Sequence, residues 1–176
     1  MKRLPTLLLG VLLGAGTMLV GLAQAGRLAP ARPDALVALA QEVSVAHRRV
    51  DLLLEQGDPA AAIATLESLR KQSWPSHADG GDLAIELRHD VYGRLVRLRL
   101  DFPDVDPIAD EALLAVIDEG LVEGADAVVP NPFTARVVAL RGEVFESLGR
   151  DDDALGAYQQ ALDMNQSLLE RELEGL

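Results

Sequence analysis

The segment Ala135–Gln166 constrains the fold most, because its apolar residues recur at helical spacing on both sides of a glycine turn. Val137, Val138 and Phe145 precede Gly149, and a second run follows it. Residues three or four positions apart share one face of an α-helix. The segment therefore predicts two amphipathic helices joined by a short turn. On the second helix, six residues are expected on the buried side: Ala154, Leu155, Tyr158, Ala161, Leu162 and Leu169.

Four more apolar runs with helical spacing lie upstream, and turn residues separate them. Asp58-Pro59, Asp106-Pro107 and Asn131-Pro132 are each typical of a helix start, because Asp or Asn accepts a free backbone N–H and proline has none to satisfy. No segment alternates apolar and polar residues over the length of a strand. The sequence predicts an all-α protein with six helices in three antiparallel hairpins, at about 34–72, 82–124 and 131–173.

The N-terminus has the layout of an export signal. Lys2 and Arg3 precede an uncharged run, Leu4–Leu22, and an A-x-A cleavage site ends at Ala25. The run has 19 residues, which also suffices for a hydrophobic membrane-spanning helix. We expect residues 1–25 to be either a cleaved signal peptide or an uncleaved anchor, and residues 26–33 to be a linker. Both alternatives place the domain at 34–173 outside the cytoplasm: periplasmic, secreted, or anchored to the inner membrane facing the periplasm.

Composition narrows the classes of partner and of site. The chain has no cysteine, which excludes disulfides and thiolate metal sites. Of 16 basic residues, Lys2 and Arg3 belong to the export signal, which leaves 14 against 28 acidic residues and a formal charge of −14. Such a surface repels nucleic acid and anionic lipid. We expect no nucleic-acid partner, and membrane contact only through the N-terminal segment.

The last hairpin resembles a tetratricopeptide repeat (TPR), whose pattern is W-x2-L-G-x2-Y, then A-x3-F, then P. Four residues match or conservatively replace pattern positions: Gly142, Phe145, Ala154 and Tyr158. Three depart from it: Val138 for tryptophan, Arg141 for leucine and Gln166 for proline. The pattern reflects close packing, because small residues let helices approach and large ones fill the space between hairpins. The resemblance implies that the three hairpins stack as a short TPR-like superhelix.

A fainter copy of the pattern lies in the first hairpin, where Gly57 and Ala62 are five residues apart, as are Gly149 and Ala154. In the TPR family, outward residues on the first helix of each hairpin line a concave groove that binds peptides. The resemblance therefore implies five partner-binding residues: His47, Asp51, Arg136, Glu143 and Glu146. The alternative for each of them is a solvated helix face.

Catalytic patterns are missing from the sequence. It contains no G-x-S-x-G, no Gly-rich phosphate loop and no H-E-x-x-H. His89 has no second histidine three or four residues away, and we expect it to be a structural residue, either at the surface or half-buried. Asp90–Arg94 and Arg97–Asp101 have the i, i+4 spacing of ion pairs within one helix. The sequence predicts no catalytic residue, no metal site and no cofactor.

These observations favour an exported, non-enzymatic TPR-like protein–protein interaction module or scaffold in the bacterial cell envelope. The partner is expected to be a protein or peptide. It should be basic or neutral, because the predicted groove residues carry charges of both signs with an excess of acidic side chains. Two alternatives stay open. One is a structural helical bundle or oligomeric envelope component without a peptide groove, and the other is an envelope enzyme.

Overall fold

The computed structural model describes residues 33–121 and 130–175, and all the regular structure in those two ranges is helical. This confirms the all-α prediction. The N-terminal hydrophobic helix expected at residues 1–25 and the linker up to residue 32 lie outside the described residues. Within these two ranges, six helices follow one another: α1 Pro33–Glu55, α2 Pro59–Arg70, α3 His77–Asp101, α4 Asp110–Gly120, α5 Pro132–Ser147 and α6 Asp151–Glu174.

Each helix packs against the next one in the chain, and α3 also packs against α1 and α5. Helix α3 lies between two apolar clusters. Its residues Val91 and Leu95 join α1 and α2 in one cluster, whereas Val96 joins α4, α5 and α6 in the other. Within the described residues, no helix contacts one more than two places away in the chain. The packing is therefore local along the sequence, with α3 in the centre.

The turns that end α1 and α5 have the same backbone hydrogen bonds. Gly57 and Gly149 both have positive φ, 75° and 68°, a conformation that glycine adopts without strain. The Gly57 N–H donates to the Leu54 carbonyl at 3.0 Å, and the Gly149 N–H donates to the Glu146 carbonyl at 3.0 Å. The next residue donates in each turn to a carbonyl five positions back, at 2.9 Å. Two turns 92 residues apart in sequence thus share one geometry.

Glycine allows close helix crossings at Gly142 and at Gly120. A Cβ on Gly142 of α5 would lie 2.6 Å from Cε1 of Tyr158 on α6, and a Cβ on Gly120 of α4 would lie 2.8 Å from Cδ1 of Tyr92 on α3. Real Cβ atoms do not approach other atoms so closely. Each tyrosine ring therefore covers a site that only glycine can occupy without movement. The expectation that Gly142 lies at a tight crossing is correct.

One predicted helix start, at Asp106-Pro107, differs from the structure. Helix α4 begins at Asp110 instead of at Asp106-Pro107, and Ala109 is its N-cap without a side-chain hydrogen bond. Its first turn carries Asp110 and Glu111, whose negative charges interact favourably with the positive end of the helix dipole and stabilise the helix start. Helix α3 spans His77–Asp101 but is interrupted at Gly81, where φ is 60° and ψ is −160°. The uninterrupted part of α3 therefore begins at Asp82, as the sequence predicts.

The expected burial of three leucines on α6 is wrong. The exposed fractions of Leu155, Leu162 and Leu169 are 68%, 62% and 60%. The buried side of α6 consists instead of small residues and one methionine: Ala154, Ala157, Ala161 and Met164. Small residues suffice there because α5 approaches closely, and the leucines project to the side of this contact.

Candidate functional site

Charged side chains of α1, α3 and α5 meet on one side of the molecule. Gly93 on α3 allows this approach, because a Cβ there would lie 3.3 Å from Cγ2 of Val137 on α5 and 3.8 Å from Cδ of Arg136. We name this surface the polar face and define it by nine residues: His47, Asp51, Asp90, Arg94, Arg97, Asp101, Arg136, Glu143 and Glu146. Seven of them form ion pairs with one another, within α3 for Arg97–Asp101 and between helices for the others, and His47 contacts Asp90.

Asp90 connects α1 to α5. Its Oδ2 lies 3.3 Å from Nδ1 of His47, and its Oδ1 lies 3.8 Å from a guanidinium nitrogen of Arg136. The sequence suggests that Asp90 pairs with Arg94 in the same helix. Arg94 instead donates to the carboxylate of Asp51 on α1. Contacts between helices thus replace one of the two ion pairs expected within α3.

Arg97 makes the second connection between α3 and α5. Its two terminal nitrogens donate to the two carboxylate oxygens of Glu143, at 2.9 Å and 2.5 Å. Such a bidentate geometry fixes orientation as well as supplying attraction. Arg97 also lies 3.7 Å from Asp101, so that this expected i, i+4 pair is present.

His47 is neutral near pH 7. Burial lowers the pKa of its imidazole; the carboxylates of Asp90 and Asp51 act in the opposite direction, while Arg94 and Arg136 lower the pKa further. The Nδ1 of a neutral ring donates its hydrogen to Asp90. Nε2 of His47 is buried and has no hydrogen-bond partner among the described residues.

The polar face carries a surplus of negative charge, because its five carboxylates face three guanidinium groups and a neutral histidine. The side chains are within reach of solvent: the exposed fractions are 47% for Asp51, 45% for Arg136 and 38% for Arg97. Carboxylate oxygens accept several hydrogen bonds each. The face can therefore accept further donors, such as the cationic side chains of a peptide.

Four of the five residues that the sequence places in a groove belong to this connected set: His47, Asp51, Arg136 and Glu143. The fifth, Glu146, belongs to the polar face but has a different partner: its carboxylate accepts a hydrogen bond from the Tyr158 hydroxyl of α6 at 2.9 Å. Their role in binding a partner stays a prediction. The α3 residues Asp90, Arg94 and Arg97 were not predicted as groove residues, although they lie at the first helix of the predicted middle hairpin and the i, i+4 spacing of their ion pairs was visible in the sequence.

A second charged network, outside the polar face, fastens α2, α3 and α4 together. Arg99 is only 8% exposed, and it lies 2.9 Å from Glu67 and 2.9 Å from Asp106. Glu67 also accepts from Nε of Arg70 at 3.0 Å. Burial alone would raise the pKa of Glu67, but the hydrogen bonds from Arg99 and Arg70 outweigh it and the pKa is lowered. Arg70 also pairs with the carboxylate of Glu119 on α4, and this carboxylate accepts a hydrogen bond from the Tyr92 hydroxyl at 2.7 Å. No motif in the sequence indicated these contacts.

His89 is a core residue, contrary to the expectation that it lies at the surface or is half-buried. It is 2% exposed, and its Nδ1 lies 2.7 Å from the hydroxyl of Thr134. Burial lowers the pKa of His89 to about 4, and Arg88 adds to the effect, whereas a hydrogen bond with the Gly120 backbone opposes it. The ring is therefore neutral and joins α3 to the start of α5, a structural role.

Within residues 33–121 and 130–175, no three His, Cys, Asp or Glu side chains are arranged to hold a metal ion. None of the helices described there is long and apolar enough to span a bilayer. A scan against protein-family models finds no match, and searches of curated proteins and of solved structures find none either. The function is therefore inferred from the geometry of the chain itself.

Proposed function

We propose that the protein is an exported, non-enzymatic, TPR-like interaction module or scaffold of the bacterial cell envelope, and that the polar face binds a protein or peptide partner. One observation carries the proposal. The polar side chains of α1, α3 and α5 lie side by side and contact one another, as in the contacts of Asp90 with the neutral His47 and with the cationic Arg136. Alternate helices thus present one continuous surface.

The packing of the helices supports the TPR-like interpretation. In a stack of helical hairpins, each hairpin contacts only its neighbours. Here each helix contacts the next one, and α1, α3 and α5 also contact one another in order. The shared hydrogen bonds of the turns at Gly57 and Gly149 agree with the sequence alignment of the first and last hairpins. We infer three stacked repeats, formed by α1–α2, α3–α4 and α5–α6.

The charge of the polar face indicates the chemistry of the partner. Five carboxylates against three guanidiniums favour a basic or neutral segment over an acidic one. The exposed carboxylates of Asp51 and Asp101 can each accept a hydrogen bond from an incoming lysine or arginine. An extended basic peptide laid across α1, α3 and α5 would meet such acceptors on successive helices.

The proposed location follows from residues 1–25, as either a cleaved signal peptide or an anchor. The two alternatives differ in the mass of the protein isolated from its own cells. A chain that starts at Gly26 supports cleavage, and a chain that retains the apolar run supports the anchor.

One observation favours a second function, that of a structural bundle without a peptide groove. Each of the three guanidiniums on the polar face already has a carboxylate partner, at Asp51, Asp90 or Glu143. A surface whose charged side chains already pair with one another can have a purely structural role, that of holding the helices together. The two functions make different predictions for variants that change the face and leave the fold intact.

The test compares the full-length protein with a triple variant of the polar face, Arg136→Ala/Glu143→Ala/Glu146→Ala. Each is used as bait for detergent-solubilised envelope extract, and captured proteins are quantified by mass spectrometry. The interaction function predicts one partner that the native bait enriches and the triple variant loses.

The matched control is a second triple variant, Glu42→Ala/Arg49→Ala/Glu111→Ala, which removes the same charges at exposed positions outside the face. This control should capture the partner as the native protein does. Equal capture by the polar-face variant contradicts the interaction function and supports the structural bundle. Far-UV circular dichroism confirms that each variant remains folded.

A further inference from the structure

Helix α6 exposes a row of leucines along one side. Leu155, Leu162, Leu169 and Leu173 have exposed fractions of 68%, 62%, 60% and 61%. The first three are seven residues apart, a spacing that keeps side chains on one side of a helix over several turns. We name these four residues the leucine stripe. Its members lie on a single helix of 24 residues, Asp151–Glu174.

The corresponding side of α2 is covered by a helix. The turns at Gly57 and Gly149 align α2 with α6, and this alignment places Ile63 opposite Leu155. Ile63 is 2% exposed and belongs to the cluster that includes Leu87 and Val91 of α3. Among the described residues, no helix follows α6 to cover Leu155 in the same way. Leu155 therefore corresponds to a position that α3 covers on α2 and that no helix of the described residues covers on α6.

Acidic side chains border the stripe. Gln159 donates to Asp163 at 2.8 Å, and Gln166 donates to Glu170 at 2.9 Å, so that both carboxylates are held along the helix beside the leucines. Helix α6 carries seven carboxylates and a single guanidinium. That guanidinium, Arg171, donates to the Pro130 carbonyl at 2.7 Å. The border of the stripe is therefore negative.

This charge disfavours a second copy of the same helix as the occupant. In an antiparallel pair, the three aspartates Asp151, Asp152 and Asp153 of one copy would face the acidic segment 170–174 of the other. In a parallel pair, the aspartates would face one another. Like charges opposed in this way are destabilising, whereas basic residues at the same positions would be attracted.

We propose that the leucine stripe is a docking surface for an amphipathic helix of another protein, with leucines at heptad spacing and lysine or arginine beside them. The partner helix takes the place that α3 takes on α2. This surface is distinct from the polar face, and its occupant binds through burial of leucine side chains with electrostatic support from Asp163 and Glu170.

The test uses the full-length protein and two synthetic helical peptides, each about 21 residues or three heptads long. Both peptides carry leucine at the core heptad positions. One has lysine at the flanking positions and the other has glutamate. Binding is measured by fluorescence anisotropy at low and high salt. The lysine peptide should bind saturably, more weakly at high salt, and the glutamate peptide should bind at least about tenfold more weakly.

Variants assign the binding to the stripe. Leu162→Glu should weaken binding of the lysine peptide at least about tenfold, because it places a charge in the centre of the apolar contact. Val45→Glu is the matched control, since Val45 is 70% exposed on α1 and should be neutral. The triple variant of the polar face should bind the lysine peptide as the native protein does, so that failure here and failure of the proposed function are distinguishable.

Three results would overturn the proposal. The first is equal binding of the two peptides, or binding of the lysine peptide that Leu162→Glu does not weaken. The second is a concentration-dependent dimer in sedimentation experiments that Leu162→Glu abolishes, which would make a second copy the occupant. The third is an efficient disulfide within one chain in the variant Leu12→Cys/Leu162→Cys, which would make the chain's own N-terminal segment the occupant.

Discussion

Gly142→Ala should distinguish a true tight crossing between α5 and α6 from a loose contact. The added Cβ would lie 2.6, 2.8 and 3.0 Å from Cε1, Cδ1 and Cζ of Tyr158. The ring must shift to accommodate it, and that shift strains the hydrogen bond from Tyr158 to Glu146. Overpacking of this kind costs about 1–3 kcal/mol. Alanine in place of a helical glycine stabilises by about 1 kcal/mol, so the net change should be a loss of about 0–2 kcal/mol.

Gly156→Ala supplies the matched control. Gly156 lies within α6, and a Cβ there would meet no atom within 4 Å. This variant should raise the free energy of unfolding by about 1 kcal/mol through helix propensity alone. The comparison therefore isolates the contact with Tyr158, because both variants make the same chemical change within a helix.

Urea unfolding followed by circular dichroism measures both variants, and a double variant completes the test. In the background of Tyr158→Leu the ring is absent, so Gly142→Ala should become as favourable as Gly156→Ala. The coupling free energy between the two sites should be about 1–3 kcal/mol. Equal stabilisation by Gly142→Ala and Gly156→Ala in the native background would refute the close crossing, as would additive effects in the double variant.

Two further predictions concern buried ionisable groups. Burial lowers the pKa of His89 from its ordinary 6.5 to about 4, so the unfolded state binds more protons than the folded state between these pH values. The free energy of unfolding should therefore fall by about 3 kcal/mol as the pH drops from 6.5 to 4. Urea unfolding at several pH values measures this dependence, and His89→Gln should make the free energy of unfolding less dependent on pH. Glu67→Ala removes a carboxylate from Arg70 and from buried Arg99, which keeps the exposed Asp106 as a partner, and should cost about 2 kcal/mol. The loss should be smaller in Glu67→Ala/Arg99→Met, because the buried cation with fewer partners is then absent, and equal losses in the single and double variants would contradict this cause.

The sequence predicted features that depend on neighbours along the chain. The helix start at Asn131-Pro132 is correct because the Asn131 side chain accepts from the Thr134 N–H, three residues away, at 2.8 Å. The helix ends at Gly57 and Gly149 are correct because a positive φ favours glycine. Such signals require only a few consecutive residues, and they locate most of the helices.

Features that depend on tertiary distance were missed. Arg94 has an acid four residues before it, yet it pairs with Asp51, 43 positions away, because α1 approaches closely. Tyr92 and Val96 were not expected in the core, although they directly follow Val91 and Leu95. Apolar residues at adjacent positions on a helix indicate two buried sides, and α3 is indeed packed from both. That pattern was the available signal that α3 is the central helix.

The leucines of α6 show the reverse error. Leu155 and Leu162 have the spacing of core residues, and the sequence cannot distinguish a leucine that packs within the chain from one that is exposed on its surface. Only the position of α5, which leaves that side of α6 uncovered, makes the distinction.

The most direct test of the polar face as a binding surface is photocrosslinking in the native cell. Ser44 is exposed and lies one helical turn before His47, whereas Arg49 is exposed on the opposite side of α1. Each is replaced in turn by p-benzoylphenylalanine, and adducts are detected after irradiation. The account predicts a discrete protein adduct from position 44 that position 49 does not form. No adduct from position 44, or the same adducts from both positions, would contradict it.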